Sequence, residues 1–336
     1  MVLTELYTAS CTTEQVSEKL STVKNYENSY CRKSIWMLLK LAFSNLHRFP
    51  NLKKLALSFD VRYHPVVPFD SSGYPPYSVV REIGNSHQWD ILHAIGTNKN
   101  PLPKVQSFEL YGWHCSGEFS SLFDEKPIAW LIASLRHLHF SLPLVRQEDS
   151  VSRELLWKQV VMRRLLQPAV NLESLKIIRS KAWDNKQFLD ISTTYPRLTA
   201  LSLWGITWED GKIGQGGIVM PSRLEDFITR HRKTLKKLNM DSCSIYVGQR
   251  SRRPFCYWAD IYKRLTEALT ELVEVKVESL FGPHESPYIY VAGDAYRPME
   301  SLKESERFEG REQDRAALEE FKVVVKKRRT GDGTGG

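Results

Sequence analysis

Cysteine is scarce in this chain: five residues (Cys11, Cys31, Cys115, Cys243, Cys256) among 336, odd in number, scattered and without a C-x-x-C pair. That pattern excludes a disulfide framework, offers no zinc-ligand grouping and points to a reducing compartment. Long apolar runs are missing too. The greasiest stretch, Ile35-Trp36-Met37-Leu38-Leu39-Lys40-Leu41-Ala42-Phe43, falls far short of the roughly 20 residues that span a bilayer. Met1-Val2-Leu3-Thr4-Glu5-Leu6 has no basic region followed by an apolar run, so no signal peptide is expected. The expectation is an intracellular chain, cytoplasmic or nuclear, with no membrane partner.

Catalytic signatures are equally absent. There is no G-x-S-x-G, no H-E-x-x-H and no Cys/His pairing with a local signature. Gly211-Lys212-Ile213-Gly214-Gln215-Gly216-Gly217 is glycine-rich, but a phosphate cradle needs G-x-x-x-x-G-K-[ST] between strand and helix, so this reads as a flexible loop. His137 and His139 share a face at i, i+2 without a third ligand at a recognisable spacing. The chain therefore reads as no enzyme, with no cofactor and no metal. Tyr74-Pro75-Pro76-Tyr77 gives P-P-Y-S rather than the P-P-x-Y order of a WW ligand. A net charge of +8 is mild for this length and permits nucleic-acid binding without indicating it. Arg250-Ser251-Arg252-Arg253 and Lys326-Lys327-Arg328-Arg329 are short basic runs that read as solvated ends, with nuclear import the alternative.

What the chain does have is a recurring phrase, L-x-x-L-x-L. Its clearest copy lies in Tyr195-Pro196-Arg197-Leu198-Thr199-Ala200-Leu201-Ser202-Leu203. Others are Leu52/Leu55/Leu57, Val105/Phe108/Leu110, Leu135/Leu138/Phe140, Leu172/Leu175/Ile177, Leu235/Leu238/Met240 and Leu272/Val275/Val277. In a strand the last two apolar residues of each phrase face the same way, and the first tucks in as the chain enters the strand. One such strand cannot hide its apolar side, whereas stacked copies can. The steps between first positions are 53, 30, 37, 26, 37 and 37 residues. Regular leucine-rich repeats run at about 20–29, so each copy here has room for a full helix.

The predicted architecture is α/β: an irregular leucine-rich-repeat solenoid of about seven repeats, a curved parallel sheet with helices on its convex side. Hydrophobic residues at 42% and aromatics at 11% suffice for a continuous core. Residues 1–48 form a lead-in, with a strand at 2–7, a helix at 12–23 and a capping helix whose apolar face holds Ile35, Leu38, Leu39, Ala42, Phe43 and Leu46. The repeats occupy 49–300, with a long Pro/Gly/Ser/Tyr-rich loop at 60–85. Helices are expected at 89–95, at 122–134 with Pro127 opening the second part, at 154–166, and at 258–269. Ser222-Arg223-Leu224-Glu225 is a capping box for another, through His231. After Phe281 the pattern fades into a Tyr-rich segment. A charged amphipathic helix within 301–329 (Ala317, Leu318, Phe321, Val324, Val325) closes the open end, and 330–336 form a disordered tail.

Helix, P-x-L-x-x-L-x-L strand and a long Trp-bearing loop together resemble the leucine-rich-repeat region of fungal F-box-type proteins. The closest stretch runs from Leu224 through Leu235-Lys236-Lys237-Leu238 to Asp241-Ser242-Cys243-Ser244-Ile245 and Trp258. Asp314-Arg315-Ala316-Ala317-Leu318, with Phe321 and Arg328, resembles the family's closing helix. The resemblance covers about residues 34–329. It implies a repeat arm that holds a protein substrate, with cullin ubiquitin-ligase subunits as further partners. The first fifty residues carry no L-P-x-E-type opening with three small helices, so the likeness extends to the repeat arm and not to an F-box.

If the apolar pairs face inward, the alternate positions line the concave face. There the large aromatics Tyr111 and Trp204, with His139, Lys176, Asn239 and Asp241, form the candidate protein-binding surface, since Tyr and Trp dominate interface energetics. The alternatives are long loops or the C-terminal helix folded over this face and burying the aromatics, a nucleic-acid-binding solenoid, or a truncated family member without independent function. Glu109, Asp241, Glu274 and Glu278 alternate with Lys54, Lys176, Lys237 and Lys276, which argues against nucleic acid.

Overall fold

The computed structural model describes residues 37–38, 41–42, 45, 51–58, 91–96, 105–112, 126–141, 157–178, 191–209, 212–213, 219–220, 223–247, 256–277, 289–292 and 311–330. The expected strand at 2–7, the helix at 12–23, the loop at 60–85 with its Tyr-Pro-Pro-Tyr stretch, the basic run at 250–253 and the tail beyond 330 lie outside the described residues. So does Glu278.

Every one of the apolar phrases forms a strand. In chain order the strands are β1 (Lys54–Ser58), β2 (Ser107–Tyr111), β3 (His137–Ser141), β4 (Ser174–Ile178), β5 (Ala200–Trp204), β6 (Thr207–Glu209), β7 (Lys212–Ile213), β8 (Val219–Met220), β9 (Lys237–Asp241), β10 (Ser244–Val247), β11 (Glu274–Lys276) and β12 (Ile289–Ala292). Seven of them make one parallel sheet in the order β1-β2-β3-β4-β5-β9-β11. No strand slips. Leu55, Phe108, Leu138, Leu175, Leu201, Leu238 and Val275 fall in one row across the sheet; Leu57, Leu110, Phe140, Ile177, Leu203 and Met240 fall in the next.

The residue that precedes each strand holds this register. Lys53 O accepts the N–H groups of both Gln106 and Ser107, at 2.8 and 2.9 Å. The same double acceptance recurs at Gln106 O, Arg136 O, Glu173 O, Thr199 O and Lys236 O, each serving two successive N–H groups of the next phrase. The first apolar position of each phrase sits just before this carbonyl. All seven are buried except Leu52, which lies at the β1 end and is only partly covered.

Helices fill the spacing between strands: α1 (Lys126–Ser134), α2 (Trp157–Leu166), α3 (Arg223–Arg230), α4 (Trp258–Ala268) and α5 (Arg311–Thr330), with residues 91–96 also helical. Pro127 stands in the first turn of α1, where its missing N–H costs nothing. The helix expected to end at 166 is there but wound as a π-helix, and Gln167 N–H closes on Met162 O at 2.7 Å. Leu131, Leu165, Phe227 and Leu265 of these helices share one apolar core with the inward strand rows.

Three expectations need correction. Leu38 and Ala42, read as core-facing, are exposed, because the core thins toward β1, where Leu55 too is only half-buried. Lys212-Ile213, read as flexible loop, pairs with Val219-Met220 in a small antiparallel hairpin. Thr330, placed in the tail, is the last residue of α5. The Tyr-rich segment also carries a strand, β12, which joins β10 and β6 in a second parallel sheet.

The β11 end is closed by α5, which packs on α4 and β11. Leu318, Phe321 and Val325 are buried as the amphipathic pattern requires. Asp314 Oδ1 accepts the Ala259 N–H at the start of α4 (2.8 Å), and Arg328 donates to Leu269 O (2.7 Å) and Thr266 O (2.9 Å) at its end. Each charge complements the helix dipole it meets. Glu225 of α3 is buried, and both its oxygens take Arg264 of α4, at 2.5 and 3.0 Å; Ser222, its expected capping partner, lies outside the described residues.

Tyr195 ties the fifth phrase to its neighbours. Its O–H donates to Leu166 O at 3.0 Å and its N–H to His231 Nε2 at 2.9 Å. Since Nε2 accepts, the proton sits on Nδ1, which donates to Phe227 O at 2.7 Å. His231 is thus held neutral, and burial pushes its pKa down, with nearby Arg230 adding to the effect.

Two outcomes follow from this packing. Leu201→Ala should cost about 2–5 kcal/mol in urea unfolding while Ser202→Ala stays within about 0.5 kcal/mol; equal costs would overturn the assignment of faces. Because His231 takes its proton less readily folded than unfolded, its contribution is whole above an unfolded pKa near 6.5 and fades as pH falls below it. Melting temperature should therefore drop on acidification below about pH 6.5, and His231→Asn should flatten that drop; coincident profiles would refute the assignment.

Candidate functional site

The face of the sheet away from the helices presents three rows. Lys54, Ser107, His137, Ser174, Ala200, Lys237 and Glu274 form the first; Ala56, Glu109, His139, Lys176, Ser202, Asn239 and Lys276 the second. The third, at the carboxyl ends of the strands, holds Ser58, Tyr111, Ser141, Ile178, Trp204 and Asp241. The six candidate residues accordingly fall on five neighbouring strands: His139, Lys176 and Asn239 in the second row, and Tyr111, Trp204 and Asp241 in the third. Tyr111 and Trp204 are three strands apart, about 14 Å at the usual strand spacing.

Sharp turns follow the third row. Gly112 and Gly205 take positive φ (62° and 66°) directly after Tyr111 and Trp204, and Ser242 does so (50°) after Asp241. Glycine adopts this geometry freely, whereas Ser242 does so at a cost of about 1–2 kcal/mol. Gly205 N–H is anchored on Asp241 O and Gly112 N–H on Ser141 Oγ, both at 2.8 Å. Ser141 is therefore buried rather than part of the open surface.

Electrostatically the face is largely self-compensated. Glu109 Oε1 receives Lys54 Nζ at 2.9 Å and His139 Nδ1 at 3.1 Å. Burial pushes the Glu109 carboxyl up, but these two hydrogen bonds outweigh it and hold its pKa below the usual value. Burial also pushes His139 down, against the pull of Glu109 and reinforced by Lys176 and His137. Tyr111 is pushed up by burial and by Glu109. Lys237 and Glu274 close on each other at 2.7 Å. Among the described residues Lys176 makes no ion pair.

Tyr111, His139, Lys176 and Trp204 are half-buried rather than fully exposed. Asn239 Oδ1 and Asp241 Oδ1 are sealed from solvent, without a donor among the described residues. Glu109 was not among the six candidates, although aligning the phrases places it opposite His139 and reveals the pairing. The two buried oxygens have no sequence signal. Below Asp241, Cys243 is buried, its thiol pushed up to about 12 by burial and partly by Asp241; Cys256 is likewise pushed up to about 11 by burial, so both are inert.

Elsewhere, two open clefts of about 290 and 330 Å³ flank the end of α3. Their shared residue Arg230 spends its donors on Ser192 O (2.6 Å) and Ile191 O, so the clefts are built around a structural contact. Among the described residues no group of three or more His, Cys, Asp or Glu could hold a metal, and no helix is long and apolar enough to cross a membrane. Comparison of this chain with protein-family models, with curated proteins and with solved structures found no match.

The His139–Glu109 contact can be read by NMR. Glu109→Gln removes the group that raises His139, so the His139 titration midpoint should move further below its ordinary value near 6.5. A midpoint that stays or rises would remove Glu109 from that role.

Proposed function

We propose that this chain is a non-enzymatic protein-binding module, an irregular leucine-rich-repeat solenoid of about seven repeats that recognises a protein through its concave sheet face. The observation that carries the reading is the in-register open face, on which half-buried Tyr111 and Trp204 flank a surface of mostly compensated charge. Large, partly ordered aromatics contribute binding area at little further entropy cost. Identical double acceptance at six successive phrases supports a repeat reading. So does Cys243, which follows Leu235, Leu238 and Met240 where leucine-rich repeats carry Asn or Cys, and whose thiol reaches Leu203 O of the preceding phrase at 3.7 Å.

The resemblance to fungal F-box-type proteins gives this module a place: the substrate-holding part of a ubiquitin-ligase adaptor, Asp314 and Arg328 being residues of the closing helix. Nucleic acid is the weaker reading, because the lysines of the open face at Lys54 and Lys237 are already neutralised by glutamates. Retention of tagged full-length chain in extract of its own cells, beside a Tyr111→Ala/Trp204→Ala variant, tests this. A specific protein partner held by the parent chain and lost by the variant is expected. Cullin-ligase subunits among the retained proteins would support the adaptor role, and their absence beside a specific partner would leave a stand-alone recognition module. Salt-sensitive RNA retention in place of a protein would overturn the proposal, and no specific partner at all would favour a truncated relative without independent function.

A further inference from the structure

Among the described residues of the open face, Lys54, Glu109, Lys237 and Glu274 are paired, and two other charges make no ion pair. Lys54 pairs with Glu109, and Lys237 with Glu274. Lys176 on β4 and Asp241 on β9 make no ion pair among the described residues. Asp241 stands directly beside Trp204 in the third row, and Asn239, two residues earlier on the same face, stands beside Ser202. The Oδ1 atom of each is buried with no donor among the described residues. An acceptor sealed from water without a donor costs free energy, and these two mark a place where the open face is incompletely satisfied. A half-turn about the broad χ2 brings the Asn239 oxygen outward, whereas in Asp241 it exchanges two equivalent oxygens, so one carboxylate oxygen is left for an incoming donor in either setting.

We infer that Trp204, Asn239 and Asp241 form a subsite for a single arginine side chain of a protein partner. Two acceptors lie two residues apart on one strand, about 7 Å along it, beside an indole. A guanidinium suits that arrangement: planar and five-fold donating, it can serve a carboxylate and an amide oxygen together and stack on the ring. An ammonium presents one compact charge and cannot span the pair. Asp241 repels phosphate, which removes a nucleic-acid backbone from consideration here. Lys176, two strands away or about 10 Å, opposes a run of cations, so the arginine arrives alone or next to an acidic residue. The assignment rests on the open face being the binding face, and it adds the chemistry of what is bound.

The test uses the full-length chain and a library of short random peptides displayed on beads, followed by affinity measurement of the enriched sequences. Enriched peptides should share one arginine, and replacing it with neutral citrulline should weaken binding about tenfold, or about 1.4 kcal/mol. In Asp241→Asn the same replacement should cost no more than about twofold. Melting curves check that this variant is folded; Asn239→Ala carries the same cycle should it not be. Peptides that need Tyr111 and Trp204 but lack a shared arginine, or whose citrulline penalty is unchanged in Asp241→Asn, would overturn the subsite and leave the protein-binding reading standing. Peptides that bind the Tyr111→Ala/Trp204→Ala variant as well as the parent, or no enrichment at all, would sink both.

Discussion

A single backbone constraint organises the molecule: the carbonyl just before each of six of the seven strands of the main sheet, all but β11, accepts two N–H groups from the next phrase. A carbonyl oxygen has two lone pairs, and here both are committed. Slipping one strand by a residue would break two hydrogen bonds at once, at about 1 kcal/mol each. It would also turn an apolar pair, such as Leu201 and Leu203, from the core to the open face. Hydrogen bonding and burial thus demand the same alignment. Because the doubled donors and the acceptor are backbone atoms, the residues that carry these carbonyls are free to differ in charge and size: Lys53, Gln106, Arg136, Glu173, Thr199 and Lys236 include cations, an anion and neutral side chains. The leucine positions around them are constrained, and these are the positions that recur.

A stack of this kind leaves two ends, and they are treated differently. At β11 the chain supplies α5, whose Asp314 and Arg328 grip both ends of α4 while Phe321 stacks on Tyr262 at a centroid distance of 6.0 Å. Tyr262 stacks in turn on Trp258, and Trp258 meets Trp208 edge-on, each at 5.6 Å. This aromatic series joins the second sheet to the closing helix. Since Asp314 is fully buried, its charge is tolerable only where N–H groups receive it, so α5 has one seat along α4. At β1 the described core thins, Leu52 and Leu55 being only partly covered.

The strands were the legible part of this fold, because the apolar phrase states both the period and the face. Pro127 and the buried side of α5 were legible for the same reason: local chemistry and pattern agree there. What escaped was set by pairing partners that the local pattern does not name, whether near in sequence or far. Nothing near Lys212 announces its pairing with Met220, and nothing near Ile289 announces Ser244. Leu38 looked like core, yet burial is decided by what lies opposite, which periodicity does not report. Of the candidate site, membership of the face was readable from alternation. Its pairing was readable once the phrases were aligned, as Glu109 against His139 shows. The sealed oxygens of Asn239 and Asp241 depend on side-chain packing and left no trace in the sequence.

Position within each strand then decides how tightly a residue of the open face is held by its neighbours. The first row is tied to the doubled carbonyls and the second contains the Glu109 hydrogen bonds, so both are constrained by their neighbours. The third row ends in left-handed turns at Gly112, Gly205 and Ser242, where the chain leaves the sheet and side chains gain room. Tyr111, Trp204 and Asp241 stand immediately before those turns. Ser242 keeps a conformation that glycine would take at lower cost, and its neighbour Asp241 anchors Gly205 N–H through its own carbonyl. The backbone on both sides of Trp204 and Asp241 is therefore fixed, as the proposed binding role would require. Freedom is confined to side-chain torsions, and ordering a few of these costs far less than ordering a loop.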